Sequence, residues 1–305
     1  MEKDNFIDVT ICTRDRPTEL ALLLQSLRTQ THQLFDVFIL DDGSRQPVGS
    51  HNYIQQLVMR LKLEGHRVDI LRMEKSIGVA RARQYVTDHV VTNGRGECVL
   101  RVDDDTVLEV DYLRLLLLAL KEGYDIVSGT TPNLGNADAP RETRFVKPVI
   151  NRVVLDGDGR FVVNGDDCGH TYIESEVIPT HHFRSAALMT KGVCEKVKYE
   201  TWMTGHGFRE EQFFSFRAIL AGFKIGVHTG AEALHFRTPS GGERSYPDAG
   251  DQSKMNQIAL NRWVKEKYKE VGDFIQDYNK KLGIGDEGKL DGLEKETNCI
   301  YSKEM

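Results

Sequence analysis

Asp103, Asp104 and Asp105 stand in a row in "RVDDDTVL" (101–108), directly after the apolar run Cys98-Val99-Leu100. Like charges gathered at the end of a buried strand repel one another, so a positive partner is expected there. A divalent cation supplies one: Mg2+ and Mn2+ favour carboxylate oxygen, and enzymes often pair one or two carboxylates with substrate phosphates around the ion. In an extended segment Asp103 and Asp105 point to one side and Asp104 to the other. An EF-hand is excluded, because Val107 stands where a third ligand would be and no glycine follows it. The competing reading is a solvated loop capping a helix over 110–122, favoured by the helix dipole.

Two further polar clusters share this setting. "CTRDRP" (12–17) follows the strand-like run 6–12, and "DDGS" (41–44) follows the run 35–40. Pro17 suits the first turn of a helix and Asp-Gly suits a tight turn, so each has a local explanation. Neither explains why all three clusters end strands of the same kind.

Those strands belong to a regular alternation. Apolar runs at 6–12, 35–40, 67–72, 97–102 and 124–129 are separated by helix-spaced runs at 19–30, 53–62, 78–90 and 112–123. This predicts β-α-β units around a mostly parallel sheet flanked by helices, with ligands at the carboxyl ends of the strands. After Gly129 the rhythm changes. "NRVVLDGDGRFVVNG" (151–165) reads as a β-hairpin, "REEQFFSFRAILAGF" (209–223) as a helix ending near Gly222, and Leu260, Val264, Tyr268, Val271, Ile275 and Tyr278 as one helical stripe. The division expected is one half over 1–131, a second half with a C-terminal helix over 132–281, and a polar, mobile tail over 282–305.

Composition narrows the classes. The chain has 305 residues and a net charge of −6, with no long basic run, which argues against nucleic acid as a partner. Five scattered cysteines without a C-x-x-C pair argue against a disulfide framework and a cysteine-rich zinc site, and point to a reducing compartment. The polar N-terminus and the lack of a membrane-length apolar run lead to a cytoplasmic expectation, with a place at a membrane surface left open.

Four ordered stretches resemble family 2 glycosyltransferases, which have the nucleotide-sugar-binding GT-A fold. "VTICTRDRP" with "LLLQSLRTQTHQLFDVFILDDGS" is similar to the family's opening strand, helix and DDGS, and "SIGVARARQYV" (76–86) to its G-x-A-x-A-R-N segment. "VDDDTVLEVDYL" fits its D-x-D pattern, with Val110 in place of a frequent proline. "GHGFREEQFFSFRAILAGFKI" (205–225) resembles its acceptor-side motif, with Glu210-Glu211 where Glu-Asp is usual.

The resemblance implies roles: nucleotide-sugar binding for the half over 1–131 and acceptor binding for the half over 132–281. Thr13 and Asp42 would contact the nucleotide base, with Arg14 near it. Arg83 takes the family's arginine position on the diphosphate, although Arg81 is close by and periodicity does not separate them; a surface helix arginine is the other reading of each. Asp105 would be the first ligand of Mn2+ or Mg2+, Asp103 a ligand or a contact to ribose, and Asp104 a weaker third candidate. Glu211 falls at the catalytic-base position, with Glu210 as the alternative because Glu is one methylene longer than Asp. Acidic decoration of a helix N-terminus is the competing reading of both.

"EALHFRTPSGGERSYPDAG" (232–250) ends a strand on His235, a third candidate metal ligand. Gly241 and Gly242 would let the following loop close over a diphosphate reached by Arg237 or Arg244. The implied donor is a nucleoside diphosphate sugar, a UDP-sugar ahead of a GDP-sugar. The implied acceptor is a hydroxyl of a glycan, a lipid-linked or a small molecule, glycosylated with inversion. A retaining transferase and a non-catalytic sugar-nucleotide-binding protein on the same fold are the rivals.

Overall fold

The computed structural model describes residues 6–132, 150–155, 161–166, 175–203, 205–246 and 248–266. The polar tail 282–305, the turn 156–160 and the stripe beyond residue 266 lie outside them.

The first half follows the predicted alternation. Strands β1 (Ile7–Thr13), β2 (Phe35–Asp41), β3 (Val68–Arg72) and β4 (Cys98–Asp103) alternate with helices α1 (Pro17–Arg28), α2 (Asn52–Leu63) and α3 (Val79–Asn93). The short β5 (Thr106–Leu108), α4 (Tyr112–Lys121) and β6 (Ile126–Thr130) come next. The order β3-β2-β1-β4 is parallel throughout. Successive residues of β2 serve opposite faces, as the period of a strand requires: Val37 and Ile39 join α1, α2 and α4 in one apolar cluster, Phe38 and Leu40 join α3 in another. Each such fully buried side chain is worth about 1.5–3 kcal/mol, and this two-sided burial holds the sheet's centre in place.

Beyond β4 the sheet is mixed. β7 (Ile150–Leu155) and β8 (Phe161–Asp166) form the antiparallel pair expected of the hairpin, as a separate two-stranded sheet. β9 (Val177–Pro179) pairs with the long β11 (Ile225–His235). β10 (Ala186–Thr190), which the alternation did not announce, lies antiparallel between β4 and β6. Helix α5 (Lys191–Lys196) follows it, α6 (Glu210–Leu220) precedes β11, and α7 (Ala249–Glu266) closes the described chain. Among the described residues no helix is long and apolar enough to cross a membrane.

Direction decides what meets at the functional edge. β6 and β11 are parallel to each other and, through β10, run the same way as β4. The carboxyl ends of β1, β2, β4 and β11 therefore share one edge, where antiparallel β10 begins. Thr13, Asp42, Asp103, His235 and Ser185 converge there because of strand direction alone.

Candidate active site

A cavity of about 290 Å³ opens at this edge. The triple aspartate lines it with all three residues. This differs from the alternating arrangement expected of an extended segment: β4 ends at Asp103, and a turn at Asp104-Asp105 precedes β5. A turn breaks the two-residue period and brings Asp104 to the same side.

Each aspartate meets a cation, and Arg16 is shared by two of them. Asp103 Oδ1 lies 2.7 Å from Arg83 Nη2 and 3.2 Å from Arg101 Nη2. Asp104 Oδ1 lies 3.0 Å from Arg16 Nη1. Asp105 lies 3.2 Å from Arg16 Nη1 through Oδ2 and 3.1 Å from His235 Nε2 through Oδ1. Burial pushes the Asp104 carboxyl up to about 7 against the opposing pull of Arg16 and the Thr13 hydroxyl. Asp105 is buried too, but its bond to His235 and the charges of His235 and Arg16 outweigh burial and hold it below the usual range. The same bond raises His235 despite burial. Ligand atoms of Asp103, Asp105 and His235 lie within 4.8 Å of one another, two carboxylates and an imidazole with the spacing and chemistry of a divalent-cation donor set.

Both glutamates line the cavity, and both pair with Arg101. α6 begins after Gly207 at φ 70° and Arg209 at φ 76°, a left-handed entry that turns its first residues into the edge. Glu210 is buried, 2.9 Å from Arg101 Nη2 and 3.2 Å from Arg83 Nε. Glu211 lines the cavity, accepts a bond from the Ser185 backbone N–H at 2.9 Å and lies 2.7 Å from Arg101 Nη1. Burial, with Asp103 adding to it, raises the Glu211 carboxyl to about 7.

Arg83 reaches the cavity, and its pairing with Glu210 and Asp103 drives its guanidinium well above the ordinary value despite burial. Arg81 does not reach it: its Nε donates to the Thr201 carbonyl at 2.6 Å, away from the edge. The two arginines leave α3 on different faces, since residues two apart on a helix differ by more than half a turn.

On the other flank, Asp42 lines the cavity and ties the start of α3 to the edge. It accepts bonds from Ser76 Oγ at 2.6 Å, Ile77 N at 2.8 Å and Gly78 N at 3.3 Å. Gly78, at φ 90°, passes Gly205 so closely that a Cβ would stand 2.9 Å from its Cα. Thr13 lines the wall, and Arg14 lies with its guanidinium 4.9 Å from the Tyr246 ring centroid. Arg14 Nε and Nη1 are buried without a hydrogen-bond partner among the described residues. Such donors suit an anionic ligand.

The segment after His235 forms a strap across this flank. Arg237 and Arg244 both line the cavity from it, and Tyr246 donates to or accepts from Ser76 Oγ at 2.6 Å. Non-glycine residues with positive φ are Asp15, Ser185, Arg209 and Arg237 among the described residues; all lie in segments bordering the cavity, as strain held by a functional site would. His181 and His182, by contrast, are buried in the core and do not line it.

Sequence reasoning missed Arg16, Arg101 and Tyr246. Arg101 had a signal: an arginine inside an apolar strand, two residues before Asp103 and so on its face. Arg16 and Tyr246 had none, since their partners are 88 and 170 residues away.

Comparison with known proteins agrees with this architecture. The model of Glycosyl transferase family 2 matches residues 8–157. No curated protein matches the chain. Among solved structures, S. aureus TarS 1-349 in complex with UDP-GlcNAc superposes at a TM-score of 0.54 and 15% identity, over 79% of this chain and 61% of that one. GalNAc-T7 with UDP, GalNAc and Mn2+ gives 0.58 and 12%, over 77% and 44%. S. aureus TarS gives 0.53 and 15%, over 77% and 37%, so the chain spans between 37% and 61% of the length of these proteins. Residues 8–157 thus match the glycosyl transferase family 2 model, and the chain has the GT-A fold.

Proposed function

We propose that the protein transfers a sugar from a nucleoside diphosphate sugar to an acceptor hydroxyl, with inversion at the anomeric carbon and with a divalent cation, Mn2+ or Mg2+. The observation that carries this reading is that one cavity is lined by Glu211, by the Asp103, Asp105 and His235 group, and by Arg14, whose Nε and Nη1 have no hydrogen-bond partner among the described residues. A UDP-sugar is the first donor to test, given the UDP and UDP-GlcNAc complexes of the structural neighbours.

In this mechanism Thr13, Arg14 and Asp42 receive the nucleoside, while Arg83, Arg237 and Arg244 surround the diphosphate. Asp103, Asp105 and His235 would hold the cation, whose chemistry is to neutralise the charge growing on the departing diphosphate. Glu211 takes the proton of the acceptor hydroxyl as its oxygen forms a bond to the anomeric carbon. The bond from that carbon to the diphosphate oxygen breaks, and the nucleoside diphosphate leaves with the electron pair. A carboxyl held near 7 suits this task, because it is basic enough to accept the proton and largely ionised just above neutrality. Arg101, which does not line the cavity, positions the base; Glu210, which does line it, is the alternative base.

The test is turnover of a panel of UDP- and GDP-sugars with Mn2+ over glycan and small-molecule acceptors, followed by NMR of the product's anomeric configuration. Product of inverted configuration, lost on removing Mn2+, is expected. Retained configuration sinks the single-base mechanism, and nucleotide binding without turnover across the panel sinks the enzymatic reading.

A further inference from the structure

The acidic turn already has a cation built into it. Arg16 is only 5% exposed, and its Nη1 stands 3.0 Å from Asp104 Oδ1 and 3.2 Å from Asp105 Oδ2. The other two nitrogens face the strap: Nε donates to the Ser240 carbonyl at 2.9 Å and Nη2 to the Thr238 carbonyl at 3.4 Å. The strap in turn donates Thr238 N to Asp105 Oδ2 at 3.3 Å. Its backbone rests directly on the arginine: Gly241 and Gly242 have φ of +72° and +50°, and a Cβ on them would stand 2.5 Å from Arg16 Cγ and 2.8 Å from Arg16 Cζ. One guanidinium thus joins two carboxylates on one side to two carbonyls on the other, a span the planar fork of arginine permits and the single ammonium of lysine does not.

Asp105 is the shared point. It belongs to the group of Asp103, Asp105 and His235, yet Oδ1 is engaged by His235 and Oδ2 by Arg16 and Thr238 N. A divalent ion received by Asp105 competes for an oxygen that these partners hold. Asp104 lies outside that group and gives Arg16 a second anchor. We propose that Arg16 is a positioning residue that holds Asp105 in the place of a divalent ion and fastens the strap to the acidic turn, yielding Asp105 but not Asp104 when an ion is bound. The proposal rests on the divalent-cation reading given above. A plain structural ion pair would fix the strap equally well but would not compete with an ion.

The experiment measures Mn2+ binding to the full chain without nucleotide, from the paramagnetic resonance signal of free Mn2+. Wild type is compared with Arg16→Gln, Arg16→Lys and the control Arg45→Gln, which removes an exposed charge paired with Asp15 at 3.7 Å and touches no aspartate of the turn. Arg16→Gln is expected to bind Mn2+ about tenfold tighter, the scale on which an adjacent opposite charge shifts a carboxylate's affinity for a cation. Arg16→Lys should also bind more tightly although it keeps the charge, and Arg45→Gln should match wild type. In both Arg16 variants trypsin should cut faster after Arg237 and Arg244. Wild-type or weaker Mn2+ affinity in both Arg16 variants overturns the proposal. So does tightening in Arg16→Gln with wild-type affinity in Arg16→Lys, which would reduce Arg16 to a remote charge. If Arg16→Gln does not fold by circular dichroism, Arg16→Lys alone decides, on the same two readouts. A parallel titration of wild type and both Arg16 variants with UDP present separates the failures: Mn2+ bound with UDP but unaffected by the Arg16 substitutions sinks this proposal alone, and no Mn2+ bound under either condition sinks it together with the divalent-cation reading.

Discussion

Arg101 is the residue on which the glutamate side of the cavity depends. It is 3% exposed in the middle of β4 and reaches Asp103, Glu210 and Glu211 at once. Removing it leaves buried carboxylates without their partner, so Arg101→Met is expected to cost about 3–5 kcal/mol in denaturant unfolding, the scale for breaking a buried ion network from one side. Arg81→Ala, which loses one exposed contact, should stay within about 0.5 kcal/mol. Glu211 makes a different prediction. If it is the base, kcat/KM should fall about tenfold per pH unit below about 7, and Glu211→Gln should lose about 10²–10⁴ in kcat while keeping nucleotide affinity. The same raised carboxyl bears on stability. It binds a proton more tightly folded than unfolded, so its stabilising contribution is full below the unfolded value of 4.5 and is lost as pH rises through about 7. Glu211→Gln should therefore gain on wild type in thermal melts between pH 4.5 and 7, and a gap that shrinks with rising pH would contradict the assignment. At this scale the sequence showed which residues carry charge at strand ends. It did not show which cation each would meet, because Arg16, Arg83 and Arg101 come from three separate segments.

Helices and strands were legible where burial is two-sided and regular. β2 is buried at every position, β1 and β4 nearly so, and such runs identify themselves. β10 did not, because Ala186–Thr190 is a short run whose strand character comes from pairing with β4 and β6 rather than from its own pattern. The strap was foreseen as a loop that could close on a diphosphate, and its glycines were singled out for freedom of movement. In the structure they serve close approach: Gly241 and Gly242 let the backbone lie on Arg16, and Gly242 N donates to the Arg14 carbonyl at 2.8 Å. Gly241→Ala puts a Cβ into strained φ as well as against Arg16, at a cost of about 1–3 kcal/mol. The strap adds no residue to the large apolar clusters. Local detachment should thus relieve the strain before global unfolding does. The expected outcome is faster tryptic cleavage after Arg237 and Arg244 with a melting temperature close to wild type. A large drop in melting temperature with unchanged cleavage would mean that the strap is part of the cooperative fold.

At the scale of the whole molecule, the site exists because parallel strands deliver their carboxyl ends to one edge, and the mixed strands β10 and β11 complete it from the other half of the chain. Thr13, Asp42 and Asp103 come from the half that the β-α-β rhythm made readable; Ser185, Glu211, His235 and Tyr246 come from the half whose rhythm was broken. Nucleotide and cation binding should therefore brace both halves together. A ligand at about 100 times its dissociation constant adds about 2.7 kcal/mol to the folded state, and about 2–4 °C accompanies each kcal/mol in chains of about 150–250 residues. UDP with Mn2+ is thus expected to raise the melting temperature by several degrees as one transition, and UDP alone by less. Asp105→Ala should remove the increment due to Mn2+ while leaving that due to UDP, since Thr13, Arg14 and Asp42 are untouched. If Asp105→Ala retains the full increment, the ion is not held at the acidic turn. If UDP and Mn2+ stabilise only one of two separable transitions, the edge does not join the halves, and residues from β10, α6 and β11 act on a nucleotide held by the first half alone.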